Sequence, residues 1–492
     1  MFESAELNQK LSKEEYARQE PVLREALLKA QYALLAKPDF PVILLVSGVD
    51  GGGKSETANL LHEWMDPRHI KAVAFGEPSD EERERPGMWR YWRALPPKGR
   101  IGILFGSWYS DPIAERVTGQ CGDEEFLHRI EEIRHFERML VAEGALVLKF
   151  WFHLSKDAQK KRIADLRADK RTRWQVTQRD LDHLKTYNRF RKVAETLLRE
   201  TGTAEAPWTL IEGTDARYRS VTAARSLLDA LNGRLQHPAP PATPAPAPLP
   251  KHVAQGRNVI NTLDYSLKLE DKEYKEKLAE LQGRLAVATR KKKFGKRSLI
   301  LVFEGQDAAG KGSTIRRITA ALDARMYSVI PIAAPSEEER AQPYLWRFWR
   351  QLPRRGRVTF FDRSWYGRVL VERVEGFAQV ADWMRAYQEI NQFESQLVDS
   401  GAIVLKFWLA ISKEEQLARF KAREDSAFKS FKITDEDWRN RKKWVKYEEA
   451  VCDMVERTST AHAPWHLIPA NDKQYARVDV LRNVCKALEE KL

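Results

Sequence analysis

The chain has 492 residues, 43% of them apolar, which is enough for at least two cores and too long for one ordinary domain. Its formal net charge of +13, from 83 Lys and Arg against 70 Asp and Glu, points to polyanionic partners such as nucleic acid, nucleotides or phosphate chains. Three scattered cysteines (Cys121, Cys452, Cys485) exclude a disulfide framework; a charged N-terminus and the lack of any apolar run near the roughly 18 residues of a membrane span predict a cytoplasmic protein with no membrane partner.

In chain order, residues 6–36 read as a charged amphipathic helix, an arm packed on the first sheet domain. The apolar, β-branched run PVILLV at 41–46 has the character of a strand buried on both faces. It runs into GVDGGGKSET, where Gly48, Gly53, Lys54 and Ser55 match G-x-x-x-x-G-K-[ST], a turn whose backbone N–H groups and helix N-terminus cradle phosphate oxygens. WRYWRALP comes next, then the strand ILFGSWYS at 103–110, then LKFW at 148–151. Residues 237–250, HPAPPATPAPAPLP, alternate Pro and Ala with almost nothing to pack and read as an extended polyproline II spacer.

After the spacer the same series returns. An offset of 257 residues, the distance from Lys54 to Lys311, also carries Trp89 onto Trp346 in WRFWRQLP, LKFW onto 405–408 and APW at 206–208 onto 463–465. So long a period means a duplicated domain, since solenoid repeats run about 20–50 residues. We therefore expect domains at 1–236 and 253–492 joined by a linker at 237–252. The second half opens with a helical arm at 264–292 and strands at 298–303, 358–361 and 403–409, and Ser412 with Glu415 predicts a capping-box helix start. Strands alternating with helices imply, in each half, a mostly parallel sheet covered on both faces, with ligands at the carboxyl ends of the strands. Trp346, Phe348 and Trp349 read as core, with Arg347 and Arg350 outside.

The two phosphate loops differ. Gly305, Gly310 and Lys311 fit the pattern, but Gly312 stands where the hydroxyl belongs, displaced to Ser313 and Thr314, so the simplest motif favours the first half. Phosphoryl transfer needs more than the loop: a carboxylate at another strand end holds Mg²⁺, and a cation meets the moving group. FFDRSWYG at 360–367 supplies Asp362 and Arg363; the first half has Phe105 and Gly106 in those places.

The motifs GQDAAGKG, FFDRSWYGR, LKFWLAIS and IPANDKQYAR resemble the second family of polyphosphate kinases, and the tandem arrangement resembles its two-domain members. The resemblance implies a thymidylate-kinase-like P-loop fold with a helical lid, Mg²⁺, inorganic polyphosphate as donor and AMP as acceptor, giving ADP. Carried over by position, the catalytic residues fall on Asp307, Lys311, Asp362, Arg363 and Arg423, with Asp307 and Asp362 as metal ligands. Gly305, Gly310, Gly312, Ser313, Thr314, Arg347, Arg368, Arg419 and Lys432 are expected to bind phosphate or nucleotide, with a basic lid near 419–445 that includes Lys429 and leads into a helix near Thr434. In the first half Arg423 falls on Leu166, a third departure after Phe105 and Gly106, so Asp50, Lys54 and Ser55 are expected to form an impaired pseudo-site. Two enzyme readings differ only in donor, polyphosphate or ATP. A nucleic-acid-binding ATPase lacks a visible helicase motif set, so no nucleic acid is expected, and a polyphosphate-binding scaffold fits the first half better than the second. The fused halves could mimic a homodimer within one chain or pair as a homodimer of chains.

Overall fold

The structure is a computed structural model that describes residues 1–237, 258–425 and 433–492. The spacer read at 237–250 therefore lies almost wholly outside the described residues, as do Lys429 and Lys432.

Each half builds one five-stranded sheet. The first comprises β1 (Val42–Gly48), β2 (Ile70–Ala74), β3 (Ile101–Phe105), β4 (Leu146–His153) and β5 (Trp208–Glu212), in the order β2-β3-β1-β4-β5. The second comprises β6 (Ser298–Gly305), β7 (Tyr327–Pro331), β8 (Val358–Asp362), β9 (Ala402–Ala410) and β10 (Trp465–Pro469), in the equivalent order read from the other edge, β10-β9-β6-β8-β7. Every pairing is parallel, so each connection crosses by a helix and all the carboxyl ends meet at one edge. The continuous apolar runs have their physical reason here: β1 and β6 are central, flanked on both sides and covered on both faces, and Val42–Val46 and Leu299–Phe303 are almost wholly buried.

Register decides what stands beside each phosphate loop. Phe303 of β6 pairs with Asp362 of β8, so the last residues of β6 and the acidic tip of β8 are neighbours. In the first sheet Val46 pairs with Phe105, and the same edge carries an aromatic ring.

The arms are helices, shorter than expected. The first spans Lys13–Ala36, started by a reciprocal capping box between Ser12 and Glu15, while Phe2–Ala5 form a separate 3-10 turn; the second spans Asp271–Arg290. Each packs on the last helix of its half, Ala216–Gln236 and Lys473–Lys491 respectively. At Ser412 only half of the expected box forms. The Ser412 side chain accepts from the Glu415 N–H at 3.1 Å, but the Ser412 N–H goes to Asn471 Oδ1 at 2.9 Å and Glu415 turns instead to Arg419. Phe348 and Trp349 are core, packed edge-on against Trp365 and Phe393. Among the described residues no helix is long and apolar enough to cross a membrane.

The chain forms two compact units. The first contains Met1–Pro78, Arg90–Pro240 and Ser336–Trp346; the second contains Ser79–Trp89, Pro241–Pro335 and Arg347–Leu492. Each unit thus takes one short segment from the other half of the sequence.

Candidate active site

At the carboxyl end of β6 the backbone makes a turn that few residues tolerate. Gly305 has φ 147°, and a Cβ there would lie 2.4 Å from the Leu409 carbonyl oxygen, so only glycine lets β9 approach. Gly310, at φ 109°, begins the helix Lys311–Thr319, whose first N–H groups are open to an anion. Lys311 Nζ donates to the Gly305 carbonyl at 2.8 Å. Burial pulls its pKa down and Arg363 adds to that, while Asp307, Asp362 and Glu304 oppose the shift.

Arg363 and Asp307 meet over this loop. Arg363 Nη2 donates to Asp307 Oδ1 at 3.1 Å, and the other oxygen, Oδ2, accepts from Asn440 Nδ2 at 2.9 Å. Burial disfavours the Arg363 charge, but the carboxylates of Asp307, Glu304, Glu436 and Asp362 outweigh it and raise its pKa. Asp362 stands beside the helix start: a Cβ on Gly312 would stand 3.7 Å from Asp362 Oδ2. A side chain at 312 would thus stand in contact with that carboxylate. The first half carries Ser55 there, where Phe105 replaces Asp362. Two carboxylates beside a phosphate-binding turn, with the helix start kept clear by glycine, are an all-oxygen donor set that suits a hard divalent cation.

The site opens into a cleft at the carboxyl end of β6. Asp307, Arg363 and Asn440 line one end and Trp408, Trp444 and Tyr447 supply aromatic wall. A mostly apolar, aromatic wall beside a few convergent polar groups suits a ligand with a flat ring and a charged end. Tyr447 also donates to Asn440 Oδ1 at 3.2 Å, and Lys443 pairs at 2.6 Å with the almost buried Glu375, so the helix Trp444–Thr458 is tied to the cleft by polar bonds.

Other expected residues sit differently. Arg419 does not face the cleft: it is 6% exposed, and its five N–H groups go to Glu415 and to the carbonyls of Ala308, Ala309, Ala470 and Asn471. It braces the loop from behind and has no donor left for phosphate. Thr314 is buried with its hydroxyl on the Gly310 carbonyl at 3.2 Å, and Ser313 bonds the same carbonyl at 2.8 Å. Arg347 donates to the Ala333 carbonyl at 3.0 Å, and Arg368 pairs with Glu372 at 3.1 Å. Arg423 lies half-buried in the last turn of the helix Lys413–Glu424, one turn beyond Arg419, and the lid helix Asp435–Lys442 starts at a Thr434 cap as expected.

The first half keeps the loop and loses its surroundings. Gly48 and Gly53 have φ 130° and 90°, and Lys54 Nζ reaches the Gly48 carbonyl at 2.8 Å, as its twin does. His183 stands where Asn440 does and holds Asp50 Oδ2 at 2.6 Å; Asp50 stays below its usual range because His183 and Lys54 outweigh its burial. Ser47 replaces Glu304, and Phe2 and Phe190 both stack on Trp151, the counterpart of Trp408, at 5.8 Å. The loop brace has moved as well. Arg162 is half-exposed and paired with Glu56, while Arg219, 5% exposed, packs on Gly53 and donates to the Gly213 carbonyl, the counterpart of Ala470. Sequence reasoning missed Glu304 and Asn440, although the same 257-residue offset sets them against Ser47 and His183.

The family model described as polyphosphate kinase 2 matches residues 10–238 and again 268–492. A protein of Pseudomonas aeruginosa named polyphosphate:AMP phosphotransferase is 53% identical, with 99% of each chain covered. Proteins of the same name from Pseudomonas syringae pv. tomato and Acinetobacter johnsonii are 51% and 40% identical, over 100% and 94% of this chain and 98% and 95% of theirs. The crystal structure of a polyphosphate kinase 2 candidate from Pseudomonas aeruginosa matches with a TM-score of 0.90 at 51% identity, covering 100% of this chain and 99% of that one.

Proposed function

The chain belongs to the polyphosphate kinase 2 family, and on that premise we propose that its second half, residues 253–492, carries the transfer while the first, residues 1–236, is impaired. The reaction moves the terminal phosphoryl group of inorganic polyphosphate to AMP and yields ADP. One observation carries the assignment of the site: Asp307 and Arg363, bonded to each other beside the Lys311 loop, line an aromatic-walled cleft in the second half, whereas the first half has Gly106 at the arginine's place and two rings stacked on the counterpart of Trp408.

In this reading the polyphosphate end lies on the loop Gly305–Gly310 and the first N–H groups of the helix Lys311–Thr319. Lys311 leaves its carbonyl partner to meet phosphate oxygens, and Arg363, turned from Asp307, stabilises charge spread over the transferring group. Asp307 and Asp362 would hold Mg²⁺, whose chemistry is to neutralise phosphate oxygens and keep them in line. AMP enters the cleft with its base against the aromatic wall of Trp444 and Tyr447; one of its phosphate oxygens attacks in line and the shortened polyphosphate departs. The acceptor is already an oxyanion, so no general base and no covalent enzyme intermediate are required. Arg423 and the lid helix Asp435–Lys442 close over the site and exclude water, which protects the phosphoryl group from hydrolysis. We place the reaction in the cytoplasm, in keeping with the sparse cysteines.

The test is direct. Protein incubated with AMP, polyphosphate and Mg²⁺, without ATP, should form ADP, and Asp362→Asn should abolish this while Asp50→Asn leaves most of it. ADP formed from ATP but not from polyphosphate would transfer the assignment to an ATP-dependent nucleotide kinase.

A further inference from the structure

The two halves also differ at the end of the central strand, and the difference has a geometric consequence. Glu304, the penultimate residue of β6, is 5% exposed and lines the cleft. Ser364 Oγ donates to Glu304 Oε1 at 2.8 Å, and the same hydroxyl accepts from the Tyr366 N–H at 3.2 Å. Just before it, the Arg363 N–H donates to the Phe303 carbonyl at 3.0 Å. The chain on both sides of the Arg363 Cα is therefore fastened to the end of β6. Arg363 itself stands at φ 63°, a left-handed conformation unfavourable to any residue with a Cβ. In the first half the backbone at this position is alike, with Gly106 at φ 58°, but glycine needs no restraint there. That half has Ser47 in place of Glu304, and the Ser47 and Ser107 hydroxyls, the latter equivalent to Ser364, are buried without a hydrogen-bond partner. The fastening is present where the strained residue is arginine and absent where it is glycine.

We propose that Glu304 is a positioning residue for phosphoryl transfer: through Ser364 it holds the Arg363 turn so that the guanidinium stands over Asp307 at the mouth of the cleft. This rests on the reading that the second half transfers phosphate, and the experiment separates the two. Steady-state kinetics with AMP and polyphosphate are measured for wild type, Asp362→Asn, Glu304→Ala, Glu304→Gln, Ser364→Ala and Arg363→Gly with and without Glu304→Ala. Glu304→Ala and Ser364→Ala should each lower kcat about 10- to 100-fold, with both KM values within about threefold, because the groups that bind substrate remain and only their alignment is lost. Glu304→Gln keeps an oxygen for the Ser364 hydroxyl and should recover to within about threefold of wild type. In the Arg363→Gly background, where no side chain remains to be positioned, Glu304→Ala should cost nothing further. Wild-type kcat in Glu304→Ala, an inactive Glu304→Gln beside an active Ser364→Ala, or an undiminished Glu304→Ala effect in the Arg363→Gly background would each overturn the proposal. If Glu304→Ala does not fold, Ser364→Ala breaks the same link and decides alone. Failure of wild type to form ADP would overturn the underlying reading instead.

Discussion

Arg363 occupies a backbone conformation that costs a residue with a Cβ about 1–2 kcal/mol, and its counterpart Gly106 occupies the same one at little cost. Arg363→Gly should therefore fold with its Tm unchanged or slightly raised and lose at least about 100-fold in kcat, as removal of a charge that meets the transition state does; thermal unfolding beside ADP formation checks both. Lys311 yields a pH prediction. The ammonium is the working form, and burial, with Arg363 beside it, lowers its pKa from the usual value, so the charge is lost at a lower pH than for a free lysine. The alkaline fall of kcat/KM for polyphosphate should thus begin below about 10.4, and Lys311→Arg, which stays charged, should remove that limb. At this scale the sequence was readable wherever a residue departs from its twin. Asp362 and Arg363 stand out against Phe105 and Gly106, but the strain at Arg363 could not be seen, because an arginine does not itself favour a positive φ and the bonds that hold it there, to Phe303 and through Ser364 to Glu304, come from another strand.

Strands and helices meet through a buried polar knot that both halves possess. Lys406 of β9 is fully buried and donates to Glu394 Oε2 at 2.7 Å, to the Thr458 carbonyl at 2.7 Å and to Tyr366 at 2.8 Å; Lys149 does the same with Glu137, Thr201 and Tyr109. Burial lowers the Lys406 pKa and raises that of Glu394, each opposed by the other's charge. Taking away one partner strands the other, so Lys406→Met should cost the second unit about 3–5 kcal/mol in denaturant unfolding. Lys406→Met with Glu394→Leu should recover most of that. The lysine was conspicuous in the sequence, since LKFW puts a charge in a buried strand, but its partner was not. Glu394 sits on the helix Val380–Asp399, and only the packing of that helix on β9 brings the two together. Arg419 failed for the same reason. The resemblance set it in a basic lid facing phosphate; the fold turns it instead to the backbone carbonyls of the loop.

Over the whole molecule the duplication has been kept as a fold, while the first half carries Ser47, Phe105 and Gly106 where the second carries Glu304, Asp362 and Arg363. Restoring the lost charges in the first half by Ser47→Glu, Phe105→Asp and Gly106→Arg together should not return transfer to an Asp362→Asn protein. The rings of Phe2 and Phe190 still cover Trp151, and a Cβ on Gly106 would stand 2.8 Å from the Phe75 carbonyl oxygen. ADP production by that variant would show that charge alone separates the halves. The compact units also predict how the chain can be divided. In the first unit the Lys98 N–H donates to the Ala341 carbonyl at 2.9 Å; in the second, Arg85 donates to the Leu352 carbonyl at 3.0 Å and Arg354 pairs with Glu84. Fragments 1–237 and 258–492 should accordingly co-purify when expressed together, and each alone should be less soluble, because each lacks a segment of its own unit.

The sequence by itself determined the duplication, the strand–loop–helix at each phosphate site, and the half that retains Asp362 and Arg363, since these are written as local patterns and as differences at a fixed offset. The tertiary structure alone decided that Glu304 fastens the Arg363 turn, that Asn440 holds Asp307, that Arg419 is a brace, and that two aromatic rings stack on Trp151 in the first half. The physical reason is distance along the chain. Each of these contacts joins residues from different elements, and parallel strands with helical crossovers bring such residues together only once the whole sheet has formed.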